Sequence, residues 1–162
     1  MAIKEQDWMM AWVSLAHAGT YLTDALSLAL RRDLGFGLAE QDLLKQVAVN
    51  NGELTMSQLA QRLYYSKAGI TKMVDRLERG GLLERNPSAQ DRRVIHIGLT
   101  SAGRTSLKQS RQILKSFVSD HFRAHMSESQ IIQLGDSLKS LLTGLGRFDG
   151  QLRHLKGEAS EN

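Results

Sequence analysis

Between Ser57 and Arg93 the chain gathers side chains of the kind that bind phosphates and base edges. Lys67 and Lys72 supply point charges for phosphate or guanine, Thr71 a hydroxyl for a base edge or phosphate, and Ala68 a methyl surface for thymine. Ser66, just ahead of them, is expected to join them as a groove contact. Ser57 and Gln58 sit near a helix start, where backbone N–H groups attract anions. Arg92 and Arg93 follow a proline-containing turn, and such a doubled arginine suits the negative potential of a narrow minor groove. Chemistry of another kind is missing: the chain has no HExxH, GxSxG or phosphate-loop motif and no cysteine nucleophile. An enzyme is not expected, nor is a cofactor.

The elements that must position these groups can be read from periodicity. Met56, Leu59, Ala60 and Leu63 recur at helical spacing, Ser66 is a helix cap, and Ile70, Met73, Val74 and Leu77 form one apolar stripe on a second helix. The face opposite that stripe presents Lys67, Ala68, Thr71, Lys72 and Asp75. Leu82-Leu83 and the alternating stretch from Val94 to Leu99 predict two short strands, joined through RNPSAQDRR as a hairpin with the arginines at its tip. Helix, tight turn, helix and basic hairpin in that order make a winged helix-turn-helix. The second helix would lie in the major groove of duplex DNA, with the hairpin against the minor groove.

Charge placement agrees with that expectation. Eight basic side chains between Thr55 and Arg93 oppose four acidic ones, a surplus equal to the whole net charge of +4. At 162 residues with one proline, Pro87, the chain is expected to be mainly α and to form a single domain over residues 1–162. It has no apolar run of membrane-spanning length and no secretory pattern in MAIKEQDW, so a cytoplasmic protein without membrane contact is expected. The absence of cysteine excludes thiol-based redox sensing.

Long helices flank the lobe expected over residues 36–99. Trp12, Leu15, Gly19, Leu22, Leu26 and Ala29 follow a helix seam over about residues 7–33, and Leu43, Leu44, Val47 and Ala48 mark a second helix ended by Asn51-Gly52. A long helix begins at Thr100 or Ser101 and carries Leu107, Leu114, Phe117, Val118 and Phe122. Ser127 to Gln130 is a capping box for a last helix carrying Ile131, Leu134, Leu138, Leu141, Leu142, Leu145 and Phe148. Helices over residues 7–33 and 101–150 carry more apolar surface than one small lobe covers, which predicts a homodimer built from them. From Gly150 the tail is polar.

Two further groups could bind small partners. Trp12, His17, Tyr21 and Arg31 on the first helix, with Lys45 on the second, combine aromatic and basic groups suited to an aromatic carboxylate or another amphipathic anion. His121 and His125 are four apart on one helix, a spacing compatible with zinc if other side chains complete the set; no metal site is assigned from them. A metal-responsive regulator and a ligand-independent winged-helix protein therefore stand as alternatives to a ligand-responsive one.

With the elements placed, the chain from about Trp8 to Leu152 resembles the MarR family of bacterial transcription regulators. Leu38-Ala39-Glu40-Gln41, Ser57-Gln58-Leu59-Ala60 with Ser66 and Thr71, and VDRLERGGLLER over Val74 to Arg85 carry the resemblance. Arg85-Asn86-Pro87, Asp91-Arg92-Arg93 and Leu99-Thr100-Ser101-Ala102-Gly103 complete it. The resemblance implies six helices with a three-stranded antiparallel wing, dimerisation by the terminal helices, and repression of nearby genes relieved by a small ligand. It also implies, through the family's Asp-x-Arg wing motif, that Arg93 reads the groove while Asp91 braces an arginine such as Arg76. Two such reading heads would take a near-palindromic operator.

Overall fold

The computed structural model describes residues 4–146, so Phe148 and the tail from Gly150 lie outside the described residues. By its contacts the chain falls into two compact units, Met1–Ser116 and Phe117–Asn162, with the boundary inside one long helix. The first unit holds α1 (Glu5–Leu34), α2 (Leu38–Val49), β1 (Leu54–Thr55), α3 (Met56–Leu63), α4 (Lys67–Arg79), β2 (Leu83–Pro87), β3 (Ile95–Leu99) and the start of α5 (Ser101–Arg123). The end of α5 and α6 (Glu128–Gly144) belong to the second.

Each helix of the lobe starts where its chemistry says it should. Thr55 opens α3 by accepting from the Gln58 amide while the Gln58 side chain accepts from the Thr55 amide at 2.8 Å. Ser66 opens α4 by accepting from the Gly69 amide at 3.1 Å. Such side-chain oxygens satisfy N–H groups that have no partner within the helix. Between these helices Tyr64 takes the left-handed conformation, φ 57°, and its amide bonds back to the end of α3, which makes the turn tight.

The core sits beneath that pair. Leu43, Leu44 and Val47 of α2, Leu59 of α3, Ile70 and Val74 of α4 and Ile97 of β3 are fully buried, joined by Phe36, Leu77, Leu83, Leu99 and Leu107. Burial of side chains of this size stabilises by about 1.5–3 kcal/mol each. The stripe expected on α4 is therefore its inner face, except that Met73 is only partly covered.

The wing is a three-stranded antiparallel sheet in the order β1-β3-β2. β1 is two residues long, Leu54 facing Ile97 and Thr55 facing His96, too short to show alternation in sequence. β2 begins at Leu83 rather than Leu82, because the Leu82 amide is spent on the Leu77 carbonyl that closes α4. It runs on to Pro87, which pairs with Ile95 at the strand end of the sheet's edge, where a missing N–H is tolerated.

Thr100 caps α5, accepting from the Gly103 amide at 2.9 Å and donating to the Gly81 carbonyl at 2.6 Å. A Cβ at Gly103 would lie 2.0 Å from the Leu82 carbonyl oxygen, so only glycine lets α5 pass this close to the start of β2. In the second unit the Ser127–Gln130 capping box opens α6, which has no buried residue.

Candidate nucleic-acid interface

α4 divides its faces sharply. Ile70, Val74 and Leu77 are buried, while Ser66, Lys67, Ala68, Thr71 and Lys72 are all exposed around its capped N-terminal half. Thr71 Oγ1 donates to the Lys67 carbonyl at 2.8 Å, which fixes the hydroxyl and leaves its oxygen able to accept. Ser57 and Gln58 are exposed on the first turn of α3, with the Gln58 carbonyl oxygen committed to Thr55 and its NH2 group available. At the wing tip Asp91 accepts from the Arg93 amide at 2.9 Å, and the Val94 amide donates to the Asp91 carbonyl at 2.9 Å. The turn thus holds Arg92 and Arg93 exposed, side by side.

Asp91 does not brace Arg76, contrary to the expectation from the wing motif. Its carboxylate serves the turn of its own hairpin. Arg76 instead pairs with Glu40 of α2, whose side chain is buried and whose second oxygen accepts from the Gly37 amide at 2.8 Å. The cause is local: Glu40 is the third residue of α2 and turns back to cap it, which puts its carboxylate beneath the α4 face carrying Arg76. Neither Asp75 nor Glu78 holds Arg76, because Arg85 of β2 occupies both. The hydrogen bond to Asp75 does most to raise the Arg85 pKa above its ordinary value; both carboxylate charges add and burial opposes, so the guanidinium stays cationic.

Arg85 enters the sequence reading only within the family motifs, and its pairing with two carboxylates of α4 is not foreseen there, since a single arginine on a short strand carries no periodic signal. Tyr64 and Tyr65 are also exposed in the turn before Ser66, the former at 78%. Their positions beside the α4 N-terminus follow from the left-handed turn, which residue types alone do not announce.

The residues proposed for a small ligand are not gathered in the same way. Trp12 and Tyr21 are each 65% exposed, His17 and Arg31 are exposed, and Lys45 is half-buried. Two clefts in the first unit are lined by other residues, one by α2, wing and α5 groups including Asn86 and Arg104, one by Glu40, Lys72 and Arg76 with their neighbours. In the second unit His121 Nδ1 lies 2.8 Å from the Phe117 carbonyl and His125 Nδ1 lies 3.1 Å from the His121 carbonyl. Among the described residues no three potential metal ligands come together.

Residues 34–94, which span α2, the helix pair and most of the wing, match the family model described as MarR family. The chain is similar to Sco3205 of Streptomyces coelicolor, a MarR family transcriptional regulator solved in complex with DNA, with a TM-score of 0.73 and 25% identity, covering 90% of this chain and 91% of that one. Residues 34–94 are a MarR-family winged helix-turn-helix, and the chain has the fold of MarR family regulators. FabT of Streptococcus pneumoniae, also solved in complex with DNA, is similar with a TM-score of 0.71 and 26% identity over 86% of this chain and 97% of that one. The transcriptional repressor IacR of Pseudomonas putida is 22% identical over 142 residues, 88% of this chain and 82% of that protein. The lobe is thus that of DNA-binding transcription regulators, and no described helix is long and apolar enough to cross a membrane.

Proposed function

We propose that this MarR-family regulator is a homodimeric repressor that grips a near-palindromic operator and releases it on binding a small aromatic or anionic ligand. One observation carries the DNA part: Lys67, Ala68, Thr71 and Lys72 stand exposed at the capped N-terminal half of α4, on the same lobe as a wing tip presenting Arg92 and Arg93. Helix N-termini favour anions, and the residue types suit a groove. Ser57 and Gln58 supply phosphate contacts, and Ser66 joins the groove contacts. Arg76 contributes charge from the side of α4 while tied to Glu40.

Dimerisation is supported by apolar surface left uncovered in the single chain. Trp8, Met9, Trp12, Val13 and Leu15 are exposed along α1, and Ile132 and Leu141 along α6 with Leu145 at its C-cap. Patches of this kind on a stable protein mark association. Residues 36–99 then act as the reading lobe and the terminal helices as the dimer body, with no enzymatic role and a cytoplasmic location. Two lobes would address half-sites roughly 34–36 Å apart. A ligand held by Trp12, His17, Tyr21, Arg31 and Lys45 need only favour a different spacing of the lobes to lower DNA affinity. Repression is supported by the likeness to IacR, itself a repressor.

The test is DNase footprinting on the DNA upstream of the protein's own gene, with light scattering in parallel. A protected, near-symmetric site bound by a dimer is expected; binding by a monomer, or an asymmetric single half-site, would contradict the proposal.

A further inference from the structure

Among the described residues, one ion network on the reading lobe joins α4 to the wing through Arg85, a side chain outside the groove-facing set. Arg85 stands on β2 opposite Ile97, in the middle of the β2–β3 register. Its Nη2 lies 2.6 Å from Asp75 Oδ1, and its Nη1 bonds Glu78 Oε2. Asp75 and Glu78 are three apart on α4, so they share one face of that helix. A guanidinium that gives one nitrogen to each of two carboxylates fixes direction as well as distance, which a lysine ammonium cannot do.

The two ends of this link lead to the two DNA-facing groups. Asp75 lies one turn beyond Thr71 and Lys72 on α4. β2 and β3 continue from Pro87 and Ile95 into the tip that carries Arg92 and Arg93. Both groups must meet one stiff duplex at once, and binding through two linked contacts is lost when geometry forbids simultaneous engagement. We infer that Arg85 is a positioning residue, clamping the wing to the recognition helix so that the wing-tip arginines and the α4 face engage DNA together. This rests on the DNA-binding reading of the lobe.

A double-mutant cycle of R85Q with R93A, read as operator affinity of the full chain, tests it. Each single variant is expected to lose roughly tenfold, and the double variant no more than about threefold beyond R85Q alone, where independent effects would multiply to about a hundredfold. R85K is expected to recover part of the loss, since it keeps the charge and one carboxylate contact. Simple loss of one positive charge, or a general loss of stability, predicts additive effects instead. Thermal melting and light scattering establish that each variant is folded and dimeric; should R85Q not fold, the cycle is run with R85K. Additive losses, R85Q binding as wild type, or no cost from R93A would each overturn the inference. Failure of the wild-type protein to bind any operator DNA would instead sink the reading beneath it.

Discussion

Glu40 and Arg76 form an ion pair that joins the N-terminus of α2 to the outer side of α4. The carboxylate is buried, and it also accepts from the Gly37 amide, which is itself buried. Arg76 is half-exposed, so solvent screens the charge attraction and the capping bond contributes more. The pair ties the exposed side of α4 to the start of α2 through a buried acid.

Replacing Glu40 by alanine should therefore destabilise the lobe by about 1–3 kcal/mol, chiefly by stranding the Gly37 amide. Glu40→Gln should cost less, because its amide oxygen still accepts. Urea unfolding of the two variants beside wild type checks this; equal midpoints would show that the capping bond contributes nothing.

Arg93→Ala should lower operator affinity by about 1–3 kcal/mol, roughly tenfold or more, while leaving the melting temperature and the dimer unchanged. The side chain is exposed and only its backbone amide is used within the turn. Fluorescence anisotropy with a labelled operator gives the number, and undiminished binding would remove the wing from the interface.

The helix pair and the Ser66 cap were legible because their signals are local. Ser66 with the Gly69 amide acts within one turn, and the Ile70, Val74, Leu77 stripe repeats within a single helix, whereas the Thr55–Gln58 box ahead of α3 was seen only in the structure. The hairpin was visible from alternation up to Leu99, though its first strand starts a residue later than the apolar pair suggested. What escaped involves partners far apart in sequence. Glu40 meets Arg76 and Asp75 meets Arg85 only after the lobe has folded, so no spacing rule assigns Arg76 to α2 rather than to Asp91. β1 is invisible for the opposite reason: two residues are too few to show a period.

Exposed apolar residues on the terminal helices should be intolerant of charge. Leu15→Glu on α1 or Leu141→Glu on α6 is expected to weaken dimerisation by at least tenfold, since a charged group is costly to bury without a partner. Sedimentation across a concentration series measures it. Unchanged association in both variants would place the interface elsewhere.

A phenolic or aromatic carboxylic acid should raise the melting temperature and weaken operator binding, and by reciprocal linkage the operator should weaken binding of the acid by the same factor. Thermal shift across a panel of such acids, followed by anisotropy with each one that shifts, checks both halves. Trp12→Ala should abolish the shift. Stabilisation by these acids with no change in DNA affinity would separate ligand binding from release.

In the proposed complex a basic lobe lays α4 in one groove and Arg92 and Arg93 toward the other. The most direct measurement of this arrangement is the salt dependence of operator affinity for wild type and for Lys67→Ala/Lys72→Ala. With six to ten phosphate contacts, wild-type affinity should fall roughly a thousandfold or more between about 50 and 200 mM salt, and removing both lysines should flatten the slope by about two. A wild-type slope near zero, or one untouched by the loss of both lysines, would contradict it.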